Sequence, residues 1–276
     1  YSRFRRKNDK RDGDLPKRLN HKIFLKKIAM NLLAALIFFT RLPFWRIKEV
    51  PAECFKHVVP YWPFVGWLTG GITAAVLWLG GQVFPITLAW IIAIVTRLLV
   101  TGCLHEDGFA DFLDGFGGGT TRERVLAIMK DSHLGTYGVI GLIAYFCIII
   151  QVCVVPIELL CILVLCGDCW SKCVASQIAN ILPYARKEEE SKAKTVNSPM
   201  SLTERLIALA GGLIPGILLL PLKYAPAMLC PILSFIVLCL IMKKRIQGYT
   251  GDCCGALVVT GELSYYLGCL IIWRLF

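Results

Sequence analysis

Apolar residues in this chain gather in long blocks and do not alternate with polar ones. Blocks lie near 61–81, 86–104, 136–155, 157–181, 205–221, 227–243 and 254–273. Each is close to the ~20 residues a helix needs to cross a hydrocarbon core of ~30 Å. A period-2 pattern is absent, which argues against membrane strands and for helices. An earlier block, residues 28–40, is short for a crossing and predicts a re-entrant or interfacial helix. The expected fold is all-α, a polytopic membrane protein of about seven transmembrane helices plus that short N-terminal helix.

The segments between blocks are of two kinds, and the kinds alternate. "QVFP", "VVPIE" and "PLKYAP" are short and nearly uncharged, whereas 41–60, 105–135, 182–204 and 243–253 are long and charged. If 28–40 does not cross, every charged loop lies on the same side as the N-terminus. The positive-inside rule makes that side cytoplasmic. The pattern predicts a basic cytoplasmic tail over 1–27 and one membrane-embedded domain over 28–276. The expected location is the cytoplasmic (inner) membrane, with the charged loops on the cytoplasmic face.

Composition agrees. The chain is 56% hydrophobic, with a mean hydropathy of +0.63. Its net charge of +11 would suit nucleic acid, but the positives cluster in the tail and a few loops. That is the signature of orientation beside anionic lipid, so the bilayer is the expected partner and nucleic acid is not. Most of the 13 cysteines fall inside apolar blocks, where a thiol acts as a small hydrophobe. "CGDC" (166–169) has a metal-like spacing but sits mid-block with no histidine near it.

Candidate chemistry lies in the charged loops. "HEDGFADFLDGFGGG" (105–119) places Asp107, Asp111 and Asp114 at i, i+4 and i+7, one face of a helix. Three carboxylates so close repel unless a cation lies among them, and Mg²⁺ favours such oxygens while leaving positions for water and phosphate. The spacing predicts an Mg²⁺ site open to a phosphorylated ligand. Phe109, Ala110, Phe112 and Leu113 interleave with the acids and predict a buried side to the same helix.

"MKDSHLGTYG" (129–138) combines Lys130, Asp131 and Ser132 with Gly135 and Thr136 at the start of a block. This grouping suits either a phosphate or an ordinary helix cap. Thr120 or Thr121 is the expected N-cap of the helix before it. "LPYAR" places Arg186 just outside the fourth block. Within that block Lys172 either pairs with Asp168 one turn earlier or meets an anionic substrate. "GYTGD" brings Thr250 and Asp252 to the start of the last block, and Arg41 follows the short first helix.

In this order, "FFTRLP" (38–43), "HEDGFADFLDG" (105–115), "RERVLAIMKDSHLGTYG" (122–138), "LPYAR" (182–186) and "GYTGD" (248–252) resemble the cobalamin synthase family, the adenosylcobinamide-GDP ribazoletransferases. The family's Gly-rich continuation of "PYAR" is replaced here by "KEEESK", and its "TGD-x-LGA" reads "TGDCCGA". The resemblance implies an Mg²⁺-dependent, membrane-bound enzyme of late cobalamin assembly. Its substrates would be adenosylcobinamide-GDP and α-ribazole or α-ribazole 5′-phosphate, and it would release GMP. Other late corrinoid-pathway enzymes, or further copies of the chain, are the expected protein partners. On that chemistry Asp107, Asp111 and Asp114 hold Mg²⁺, and Lys130 and Arg186 hold the pyrophosphate. Glu106, His105 or Asp252 orients or deprotonates the attacking hydroxyl, and Arg41 meets phosphate or lipid headgroups. A CDP-alcohol-type phosphotransferase is the nearest alternative, but "DGFAD" lacks the arginine its motif needs. A cation transporter is another, and would want acids at mid-membrane depth.

Overall fold

The computed structural model describes residues 14–186 and 199–276. Over these the chain is helical, and its one extended pairing is an isolated parallel bridge between Tyr184 and Tyr249. The helices are α1 (Asp14–Phe39), α2 (Trp62–Gly80), α3 (Ile86–Thr101), α4 (Leu104–Gly118), α5 (Arg122–Lys130) and α6 (Thr136–Ile150). They continue with α7 (Ile157–Ser176), α8 (Ile178–Ile181), α9 (Leu202–Leu219), α10 (Leu229–Ile246) and α11 (Gly251–Leu275).

Helix α1 departs from expectation. The break expected between a polar tail and a short helix at 28–40 is absent, and one helix of 26 residues runs from Asp14 to Phe39. The change from polar to apolar residues after Lys27 marks a change of surroundings, not of backbone. Lysine, arginine and leucine are all good helix formers, and Pro16 falls in the first turn, where its missing N–H costs little. Ala34, Ala35 and Phe39, on the second half of the helix, are buried. The first 13 residues of the basic tail lie outside the described residues.

Among the described residues, five segments are long and apolar enough to cross a membrane: Val59–Gly80, Thr136–Val154, Leu202–Leu219, Leu222–Ile246 and Gly251–Leu275. The block expected to cross at 86–104 is instead a broken element. Helices α3 and α4 pass the same test only as a pair bent by 87°. At ~1.5 Å per residue, α3 alone spans ~24 Å, short of a ~30 Å core. Helix α7, which carries Glu158, Asp168 and Lys172, is not among these segments. By length and composition, then, the count is five, or six with the bent pair, rather than seven.

Helix α7 sits at the centre, buried along its second half from Cys166 to Ser176. It packs on α2 through the GxxxG pair Gly66 and Gly70. A Cβ at Gly66 would lie 2.9 Å from the Cys169 Cα, and one at Gly70 would lie 3.1 Å from the Leu165 Cα. Small residues at that spacing let two helix backbones approach. The outer surface is apolar: Ile217, Leu218 and Leu222 are exposed by 76%, 74% and 87%. Such a belt suits lipid and would be a liability in water.

Candidate active site

Helix α4 carries the acidic motif, and three features hold it. The first is the elbow. Gly102 and Cys103 both take left-handed backbone (φ 66° and 56°), and the Cys103 N–H donates to the Leu98 carbonyl at 2.9 Å. Glycine adopts this conformation without the Cβ clash that cysteine must tolerate. The "FFTRLP" segment docks on the elbow: the Arg41 N–H donates to the Val100 carbonyl at 2.7 Å, and its side chain lies over Gly102. The second is an aromatic stack in which Phe39 lies on Trp62 and Trp62 on the His105 imidazole, at centroid distances of 4.8 and 5.6 Å. The third is the crossing with α11. A Cβ on Gly255 would lie 2.7 Å from the His105 carbonyl oxygen, and one on Gly108 would lie 3.1 Å from the Asp252 Cα. Two glycines therefore bring the α4 backbone onto the first turn of α11.

The three aspartates of α4 occupy different surroundings. Asp107 is exposed, whereas Asp111 and Asp114 are buried, at 8% and 6% exposure. Asp114 accepts the Gly135 N–H at 2.7 Å on one oxygen and the Gly138 N–H at 2.9 Å on the other. It therefore caps the start of α6. Among the described residues no three His, Cys, Asp or Glu side chains converge as a ready-made metal cage. Mg²⁺ bound with phosphate needs only one or two carboxylates plus water. Asp107 and Asp111, one turn apart, fit that requirement, while Asp114 also caps α6.

Two distant motifs meet beside them. The Tyr184–Tyr249 bridge is made by Ala185 N–H donating to the Tyr249 carbonyl at 2.8 Å and Tyr249 N–H donating to the Pro183 carbonyl at 3.0 Å. It joins "LPYAR" to "GYTGD", so Arg186 reaches Asp252 at 3.6 Å while also donating to the Leu126 carbonyl at 3.0 Å. Thr250 caps α11, accepting the Cys253 N–H at 3.4 Å, and donates to Asp252 at 3.2 Å. The space over Gly251, the first residue of α11, is open. Arg122, which the motif reading passed over, staples this corner by donating to the carbonyls of Ile246 (3.0 Å) and Ala185 (2.8 Å). Arg245 similarly donates to the Phe116 and Gly119 carbonyls.

Lys130 at the end of α5, Asp131 and Ser132 on the loop after it, and Thr136 at the start of α6 are all exposed. Thr121, not Thr120, caps α5. Asp131 binds His133: Oδ1 lies 2.6 Å from the imidazole Nδ1 and accepts the His133 N–H at 3.2 Å. That hydrogen bond lowers the Asp131 carboxyl pKa and raises that of the imidazole. The "KEEESK" run after Arg186 lies outside the described residues.

Three candidates face the other way. His105, Glu106 and Lys172 are buried and line a small interior cavity with Arg97, Asp168 and Glu262. Lys172 pairs with Asp168, which also accepts the Thr69 hydroxyl, so the pairing alternative is the one observed. Arg97 pairs with Glu262, lies 3.8 Å from Glu106 and donates to the Tyr145 hydroxyl at 2.8 Å. It was legible as a lone arginine inside the apolar run "ITLAWIIAIVTRLLVT". Such a residue marks a functional or structural site by default.

The comparisons with known proteins converge with this geometry. The sequence profile described as cobalamin-5-phosphate synthase matches residues 31–270. A relative from Shewanella frigidimarina (strain NCIMB 400), named adenosylcobinamide-GDP ribazoletransferase, is 35% identical over 252 residues, covering 88% of this chain and 95% of the relative. Another of the same name, from Shewanella amazonensis (strain ATCC BAA-1098 / SB2B), is 34% identical over 258 residues, covering 91% and 98%. No solved structure matches the chain. The motifs that meet around α4 and the first turn of α11 all lie inside the matched region, and the chain belongs to the cobalamin-5-phosphate synthase family.

Proposed function

We propose that this protein transfers the phosphocobinamide group of adenosylcobinamide-GDP to α-ribazole or α-ribazole 5′-phosphate, releasing GMP. The observation that carries the reading is the close approach of α4 at Gly108, the residue after Asp107, to Asp252 of the Arg186–Asp252 pair at the start of α11, within a chain of this family. The ribose hydroxyl attacks the phosphorus that bears the cobinamide arm. A new P–O bond forms, the anhydride bond to GMP breaks, and the hydroxyl proton passes to a carboxylate. Of the three candidate bases, His105 and Glu106 line the interior cavity, whereas Asp252 pairs with Arg186 beside Gly108 of α4.

Asp107 and Asp111 hold Mg²⁺, which when bound neutralises phosphoryl charge. The other groups act directly. Arg186 balances Asp252 and presents a guanidinium to the pyrophosphate, and Lys130 supplies a second, mobile positive charge. The amides at the start of α11 add the positive end of a 25-residue helix. The site lies at the cytoplasmic face of the inner membrane.

The test is GMP release from adenosylcobinamide-GDP by the purified protein in lipid, with each ribazole acceptor, with Mg²⁺ and with chelator. Release that needs both acceptor and Mg²⁺ is expected. If neither acceptor gives GMP at any Mg²⁺ concentration, the reading fails.

A further inference from the structure

The charged group inside the bundle takes no direct part in the proposed reaction, yet it adjoins the residues that do. Arg97 projects from α3 five residues before the elbow. Its guanidinium pairs with Glu262 of α11, donates to the Tyr145 hydroxyl of α6, and lies 3.8 Å from Glu106 in the first turn of α4. Glu262 also accepts the Tyr266 hydroxyl at 2.9 Å. One arginine, 5% exposed, thus links four helices.

Such an assembly is costly. Two buried ion pairs, Arg97–Glu262 and Lys172–Asp168, lie beside a third carboxylate, Glu106. One Glu106 oxygen and the His105 Nε2 are buried with no partner. Desolvating such charges costs more than apolar packing of the same volume, so the group is poorly explained as a stabiliser. Its placement suggests another role. Helix α4 begins at Cys103 with no side-chain cap, directly after an 87° turn. The Trp62–His105 stack and the Gly255 crossing seat that first turn, and Arg97 adds a charged contact to it at Glu106. Glu106 is the handle by which Arg97 holds that turn, and Asp107 is the next residue.

We propose that Arg97, anchored by Glu262, is a positioning residue. It fixes the first turn of α4 so that Asp107 faces the phosphates. This rests on the phosphotransfer reading above. It predicts that removing the clamp lowers turnover more than substrate binding.

The test compares wild type with R97M, R97K and the double variant R97M/E262M, all in lipid. R97M alone leaves Glu262 buried without its cation and can fail to fold, so the double variant, which removes both charges, is the informative one. It is expected to match wild type in folded yield and thermal midpoint, to lower kcat at least 30-fold, and to keep KM for adenosylcobinamide-GDP within about threefold. Amide exchange over 104–109 should accelerate in it, and R97K should recover part of kcat. A double variant with wild-type kcat, or one that raises KM at unchanged kcat, overturns the proposal, as does unchanged exchange over 104–109. A wild-type protein that releases no GMP sinks the reaction instead. The exchange measurement still reports on the clamp in that case.

Discussion

Asp107, Asp111 and Asp114 share one helix face, and only their neighbours tell them apart. Asp114 spends both oxygens on the amides of Gly135 and Gly138. Hydrogen bonds to a charged acceptor contribute about 1.5–3 kcal/mol each when well made. Losing both should therefore make Asp114→Ala cost about 3–6 kcal/mol, read as a lowered thermal midpoint, with Mg²⁺ half-saturation unchanged in the protein that folds. Asp107→Asn and Asp111→Asn should reverse that pattern, inserting normally and losing GMP release by two orders of magnitude or more, by analogy with other lost electrostatic groups. Full activity in both would remove the metal assignment. The Asp131–His133 pair offers a pH test. Its partner raises the His133 pKa, so the contact is complete below the imidazole's usual ~6.5 and is lost as pH rises through the raised value. The His133 ring protons should titrate above that reference in wild type and return to it in Asp131→Asn. Both groups are exposed, so no stability change should accompany the titration.

At the scale of elements, the crossing of α4 and α11 decides whether a site exists. Glycine at 108 and 255 lets the two backbones touch. A Cβ at 255 would fall 2.7 Å from the His105 carbonyl, a backbone atom that cannot swing away. Gly255→Ala should push the helices apart at a cost of about 1–3 kcal/mol, as overpacking does, and should separate Asp252 from Asp107. The expected result is a lowered thermal midpoint together with a fall in kcat. Gly251→Ala is the control, because its Cβ would enter open space at a helix start. The α3–α4 elbow shows why one expected span was misjudged. Hydropathy continues smoothly through 86–104, so a window average cannot register a reversal set by two left-handed residues.

For the whole molecule, the loops that carry the motifs gather at one end, tied by Arg122, Arg186 and Arg245 to the carbonyls of neighbouring segments. If that end is cytoplasmic, a Lys130→Cys variant in sealed inverted vesicles should react with a membrane-impermeant maleimide beyond the level of the parent protein. In intact cells it should not. Labelling from outside would reverse the topology.

The sequence by itself determined that this is a helical membrane protein, and that "HEDGFADFLDG" forms one helix with acids along a face. Hydropathy and the 3.6-residue period are local properties, and each segment displays its own. It also held the family motifs in order. Only the tertiary structure decided which partners each acid meets. Asp114 became a cap, Glu106 and His105 turned inward to Arg97, and Asp252 came to Arg186 across a two-residue bridge. Those assignments depend on which other segments pack against each side of α4. Contacts between residues tens of positions apart leave no periodic trace along the chain. A lone arginine in an apolar run signals that a partner exists, but its identity, Glu262, follows from where the fold brings α11 within reach of the long Arg97 side chain.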